Sequence, residues 1–141
     1  MKPSTIGLVL STNPLALLAW IGEKFLDWTD EDPPLDTILA SVTLCWFTGC
    51  YPTSIWPYRR LIAPGFGMHD NPAWRIEKPL GYSWFPKELA PTPRAWVVMT
   101  GNLVFFRQHE RGGHFAAMEC PDIFLKDVED FVAQVWSGPG A

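Results

Sequence analysis

Two short, nearly continuous apolar runs constrain this chain more than any other feature: Pro79-Leu80-Gly81-Tyr82-Ser83-Trp84-Phe85 and Asn102-Leu103-Val104-Phe105-Phe106-Arg107. Runs of this length without polar alternation are the mark of strands covered on both faces. Between them, Thr92-Pro93 opens a helical segment that continues through Met99, and Gly101 ends it. Strand, helix and strand in that order make a βαβ unit, whose strands should be parallel and whose crossover should be right-handed. Phe85-Pro86-Lys87-Glu88-Leu89 closes the first strand. Beyond the second, Pro121 starts a last helix, with Phe124, Leu125, Val128, Phe131, Val132 and Val135 expected to face inward.

The stretch Arg111-Gly112-Gly113-His114-Phe115-Ala116-Ala117-Met118-Glu119 joins the second strand to that helix. Two glycines ahead of a histidine let the backbone enter conformations with φ > 0, so the loop can present an imidazole at the end of a strand. Ligands of open parallel α/β sheets sit outside those carboxyl ends. Taken alone, His114 reads as a loop residue capping a helix or a carbonyl. It has company, however: Glu88 lies just past the first strand, at the same sheet edge. A carboxylate that accepts from one ring nitrogen fixes the tautomer and stabilises the imidazolium, while the other nitrogen takes a proton from water. A carboxylate after a strand is otherwise simply solvated, and the residues leave both readings open.

The first half reads as three helices. Asn13 caps the first and Pro14 occupies its first turn. Leu15, Leu18, Ile21 and Phe25 then recur at helical spacing, opposite Glu23, Lys24 and Asp27. Thr29 to Pro33 is an acidic linker. The second helix starts at Pro34, carries Leu35, Ile38, Leu39, Val42, Cys45 and Trp46 on one face, and ends at Gly49. The third begins near Pro52 and carries Ile55, Trp56, Tyr58, Arg59, Leu61 and Ile62; Pro57 should kink it or confine it to a tight turn. Tyr58 reads either as a core residue with a backbone-bonded hydroxyl or as a donor pointing into a pocket. Leu61 to Trp74 is a Gly- and Pro-rich connection in which His69-Asp70 looks like a turn. It divides the chain into a helical segment, residues 1–64, and a β-α-β-α segment, residues 65–141.

Composition narrows the function classes. The 141 residues carry a net charge of −4 and no basic tract, which argues against a nucleic-acid partner or a polybasic membrane patch. Cys45, Cys50 and Cys120 have no metal-ligand spacing and read as reduced, mostly buried thiols. No metal or other cofactor is implied. The apolar run Leu15 to Ile21 is far too short to span a bilayer, and the N-terminus does not look like a secretory signal, so the expected compartment is the cytoplasm. Aromatics make up 14% of the chain, with eight Trp, more than so small a helical protein could hide alone.

Several stretches resemble the C-terminal part of epoxide hydrolases of the microsomal and fungal type, which are α/β-hydrolases with a helical cap. They are the run from Pro14 to Phe25, Tyr58-Arg59, the run from Phe85 to Leu89, and His109-Glu110-Arg111-Gly112-Gly113-His114-Phe115-Ala116-Ala117-Met118-Glu119, and they follow the family's order. The resemblance implies a cap segment followed by the last two parallel strands of the fold and their helices. It also implies a small apolar epoxide as substrate. In that family an aspartate opens the epoxide to an alkyl-enzyme ester, a His–acid pair activates the water that hydrolyses it, and two cap tyrosines hold and protonate the epoxide oxygen. By position His114 resembles the general base, Glu88 its orienting acid and Tyr58 the second cap tyrosine.

The family's other parts are missing from these residues. No Gly-x-Asp-x-Gly-like elbow occurs, nor a His-Gly oxyanion loop, and the other tyrosines are Tyr51 and Tyr82. The expectation is therefore an incomplete fold that keeps the hydrolytic half of the machinery and turns over negligibly by itself. A non-catalytic paralogue or an interaction module of α/β-hydrolase origin is the alternative. A two-stranded parallel sheet has unpaired edges and uncovered faces, so such a chain should fold poorly, aggregate or form a homo-oligomer.

Overall fold

A computed structural model describes residues 3–59 and 72–138. Leu61, Ile62, His69 and Asp70, with most of the connection expected around them, lie outside the described residues. Among those described, the chain forms two compact units, one from residues 3–27 and 32–59, the other from 28–31 and 72–138.

The first unit is helical. α1 (Pro3–Leu10) precedes the expected helices. α2 (Pro14–Trp28) starts where Asn13 Oδ1 accepts from the amides of Leu15 at 2.9 Å and Ala16 at 3.2 Å, a side-chain cap on otherwise orphaned donors. Its buried residues are Leu17, Gly22 and Phe25, whereas Leu15, expected on the inner face, is exposed. α3 (Leu35–Thr48) buries Ile38 and Val42 and ends at Gly49. The third expected helix is broken, as Pro57 requires: α4 (Tyr51–Ser54) is followed by a 3₁₀ turn, Trp56–Arg59. Tyr58 sits on that turn and is half-exposed, so it is not a core residue. The buried tyrosine is Tyr51. Its hydroxyl makes no well-formed hydrogen bond among the described residues; burial, reinforced by Tyr58, pushes its pKa up to about 12, and a loose approach of the Trp20 N–H opposes the shift only in part.

In the second unit a 3₁₀ turn, Pro72–Trp74, leads into β1 (Ile76–Trp84), followed by α5 (Arg94–Thr100), β2 (Gly101–Gln108), α6 (Ala116–Glu119) and α7 (Pro121–Val135). β1 and β2 are parallel, with Leu80 opposite Leu103, Tyr82 opposite Phe106 and Trp84 opposite Gln108. β1 begins earlier than its apolar run, and the register slips between Ile76 and Pro79, where proline offers no amide to the ladder. The pairing continues past the strands as a bridge from Lys87 to Gly113, with the Lys87 amide donating to Gly112 O at 3.1 Å.

α7 differs from expectation. Its one fully buried residue is Asp127, while Phe124, Leu125, Val128 and Val132, expected to face inward, are exposed. The helix turns Asp127 and Phe131 toward the strands, where Phe131 lies against Gly81 and edge-on to Phe105 at 6.2 Å. Phe85, Ala116 and Cys120 form a small core, with Ile123 packed on it. Of the cysteines, all free, only Cys120 is buried; Cys50 is exposed, contrary to the expectation of mostly buried thiols. Among the described residues no single helix is long and apolar enough to cross a membrane.

Candidate active site

Glu88 and His114 meet. Glu88 Oε1 lies 2.7 Å from His114 Nδ1, and both side chains are about one-third exposed, at 32% and 36%. The parallel register brings the strand ends side by side, and the Lys87–Gly113 bridge carries the two loops forward together. Glu88 Oε1 also accepts from the Leu89 amide at 2.7 Å, which fixes the carboxylate. The imidazole stands edge-on to Trp28 at 5.3 Å and to Phe115 at 5.0 Å. With Nδ1–H donating to Glu88, the Nε2 lone pair is free to take a proton. His114 and Glu88 line an open cavity of about 440 Å³ whose other walls include Phe85, Phe115, Met118 and Phe124.

The two glycines act differently. Gly112 has φ +102°, and a Cβ there would come within 2.8 Å of both Cys120 Sγ and the Phe85 ring. Gly113 is needed for proximity instead: a Cβ would lie 2.6 Å from Trp28 O.

A second polar cluster, which sequence reasoning missed, lies between the same strands and α7. Asp127, 2% exposed, accepts from Ser83 Oγ at 2.5 Å and Arg107 Nη1 at 2.6 Å, and its Oδ2 is 2.6 Å from His109 Nε2. Burial pushes the Asp127 carboxyl up, but the hydrogen bonds from Ser83, His109 and Arg107 outweigh it and hold the carboxyl below its ordinary value. Arg107 also reaches Asp130 at 2.9 Å. Lys126 and Arg107 together hold Asp130 low. The His109 ring stacks on Phe85 at 4.8 Å, linking this cluster to the core beneath the histidine loop. Alternation put Arg107 of β2 and His109, just past its end, on one side, and Asp127 interrupts an apolar helix; those were the available signals.

Tyr58, the third expected site residue, belongs to the first unit. Among the described residues no cluster of His, Cys, Asp or Glu could hold a metal ion.

No family model matches the sequence. The Aspergillus niger epoxide hydrolase structure superimposes with a TM-score of 0.87 at 51% identity, covering 96% of this chain and 34% of that one. A Dothistroma septosporum protein named an epoxide hydrolase is 47% identical over 134 residues, 93% of this chain and 31% of its own. Rabbit (Oryctolagus cuniculus) epoxide hydrolase 1 is 33% identical over 147 residues, 95% of this chain and 32% of its own. The chain is homologous to the C-terminal part of epoxide hydrolases. It spans about a third of the length of the curated relatives it matches. Its parallel strands and flanking helices are accordingly part of an α/β-hydrolase fold.

Proposed function

We propose that this chain carries the water-activating half of an epoxide hydrolase, which converts small apolar epoxides to vicinal diols through an alkyl-enzyme ester. The observation that carries the reading is the 2.7 Å contact between Glu88 Oε1 and His114 Nδ1 at a cavity lined by Phe85, Phe115 and Phe124. In this reading Nε2 of His114 takes a proton from water as that water attacks the ester carbonyl. Glu88 holds the ring in the required tautomer and balances the imidazolium that forms. The C–O bond of the ester then breaks, the proton returns to the leaving alkoxide, and the diol departs. Tyr58 protonates the epoxide oxygen during the preceding ring opening, a role carried over from its place beside Arg59. Residues 1–64 serve as the cap and 65–141 as the end of the catalytic core. Three free cysteines suit a cytoplasmic setting.

The ester-forming carboxylate comes from protein other than these 141 residues. They contain no Gly-x-Asp-x-Gly pattern. Of the acids nearest His114, Glu88 is bonded to its ring, and Asp30 and Glu119 are committed to backbone amides. The test is to join this chain behind the preceding two-thirds of the Aspergillus niger enzyme, in place of the third it matches. The chimera should form diol from styrene oxide. His114→Ala should let the ester form but stall its hydrolysis. Glu88→Gln, which removes the carboxylate that holds the tautomer, should slow hydrolysis by up to ~10⁴. A folded chimera without diol formation, or one whose turnover survives His114→Ala, refutes the reading.

A further inference from the structure

The histidine loop gives its backbone amides to two carboxylates that the reaction above does not use. Gly112 N donates to Asp30 Oδ2 at 2.9 Å. Gly113 N and Phe115 N both donate to Glu119 Oε1 at 3.2 Å. Between them, His114 N donates to Trp28 O at 2.9 Å. The other Glu119 oxygen, Oε2, accepts from Asp30 N at 2.6 Å, so the segment 28–30 and the histidine loop are stitched to one another through both acids. Every amide from 112 to 115 is thus taken, three of them by ionisable carboxylates, whose hydrogen bonds are roughly twice as strong as neutral ones.

We propose that Asp30 and Glu119 are positioning residues: they set the backbone from which His114 projects, and so hold Nδ1 against Glu88. The geometry leaves the ring little else to hold it. The imidazole is 36% exposed, and its only hydrogen bond among the described residues is to Glu88. Its other neighbours are the Trp28 and Phe115 rings, both edge-on. Trp28 is tied to the loop through its carbonyl, and Asp30, two residues on, through its amide and carboxylate. Gly112, at φ +102°, and Gly113, which approaches Trp28 O too closely for a Cβ, confer no stiffness themselves. Without acceptors for its amides the loop has many conformations, and a small shift at Cα separates Nδ1 from Oε1.

The catalytic meaning rests on His114 and Glu88 being the water-activating pair, but the test reads the ring itself. The full chain is prepared with ¹⁵N-labelled imidazoles, and long-range ¹H–¹⁵N spectra identify tautomers, the His114 signal being the one lost in His114→Ala. Urea midpoints are measured alongside. Wild type should show the Nδ1–H tautomer with a deshielded, hydrogen-bonded proton. Asp30→Ala and Glu119→Gln should lose it, giving an averaged imidazole signal; the glutamine keeps one acceptor oxygen but meets the Asp30 amide with a donor. Asp30→Asn should retain it, because its amide oxygen still accepts from Gly112. Should Asp30→Ala unfold outright, the near-isosteric Glu119→Gln decides by the same criterion. Retention of the wild-type signal in Asp30→Ala and Glu119→Gln, with only a lowered urea midpoint, overturns the proposal and leaves the acids a structural role. A wild type with a cooperative urea transition that lacks the signal overturns the His114–Glu88 pair and its supports together.

Discussion

Replacing Asp127 tests the cluster that ties β1, β2 and α7 together. Asp127→Ala removes three hydrogen bonds at once and strands His109, whose side chain is only 10% exposed, and one arm of Arg107. Removing one partner of a buried ion pair costs ~3–5 kcal/mol. Arg107 is 38% exposed and keeps Asp130, which puts the expected loss at the lower end, about 3 kcal/mol. Domains hold only ~5–15 kcal/mol in all, so the loss is between about a fifth and three-fifths of the total. With a urea m-value of ~1–3 kcal/mol/M, the midpoint should fall by about 1–3 M, read by tryptophan fluorescence and far-UV circular dichroism. Ser83→Ala is the control, since it deletes one of the three hydrogen bonds to the carboxylate and should cost about 1.5 kcal/mol, the lower end for a bond to a charged group. The pH dependence follows from the depressed carboxyl of Asp127. A lowered folded pKa contributes stability that is fully present above about pH 4 and is lost as pH falls through the folded value. Asp127→Asn should therefore be less stable than wild type at neutral pH and have a flatter acid limb. If Asp127→Ala lowered the midpoint no more than Ser83→Ala, the cluster would be a surface ornament and the reasoning wrong.

Gly112→Ala should destabilise the second unit by ~1–3 kcal/mol in urea denaturation, because φ is positive and the new methyl meets Cys120 and Phe85 at 2.8 Å. An unchanged midpoint would show that the loop is free to move. Tyr51→Phe removes a buried hydroxyl with no hydrogen-bond partner among the described residues and should be neutral or stabilising by up to ~1 kcal/mol; a clear loss of stability would reveal a partner for that oxygen. The isolated chain should self-associate, since Leu125 and Trp136 of the last helical stretch are 57% and 67% exposed and Phe124, Val128 and Val132 lie beside them. Sedimentation velocity should show mass rising with concentration, and the pair Val128→Lys and Val132→Lys should suppress it; a concentration-independent monomer contradicts this.

The parts of the fold that were legible in the sequence are those where local chemistry decides. Asn13 before Pro14 fixed the start of α2, Pro57 broke the third helix, and the apolar runs around Leu80 and Phe105 gave two parallel strands within a few residues of their bounds. Glu88 and His114 could be placed at one end of the sheet because a βαβ unit allows little else. What periodicity cannot report is which apolar face finds a cover. α7 has apolar residues at Phe124, Val128 and Val132 and again at Ile123 and Phe131, and the second set finds the cover, Phe131 against the strands and Ile123 on Phe85, Ala116 and Cys120. The decision falls to Asp127: it lies one turn from both Ile123 and Phe131, and its carboxylate is worth more against Ser83, His109 and Arg107 than a valine would be against the same polar groups.

The same limit explains the missed supports of the site. Asp30 stood in an acidic, proline-ended stretch that has the composition of a solvated linker, and nothing in the histidine-loop stretch marked Glu119 at its end as an acceptor. Their acceptor role depends on main-chain amides left unpaired by a loop at φ +102°, an arrangement that exists only once the loop has folded. Side chains that bond to side chains of complementary type leave a trace in sequence, as Glu88 and His114 do. A local cap such as Asn13 leaves one too, but a side chain that bonds to the backbone of a distant segment, as Asp30 does, leaves none, because every residue offers the same amide. The residues that orient a catalytic group from behind are of this last kind, and coordinates are needed to find them.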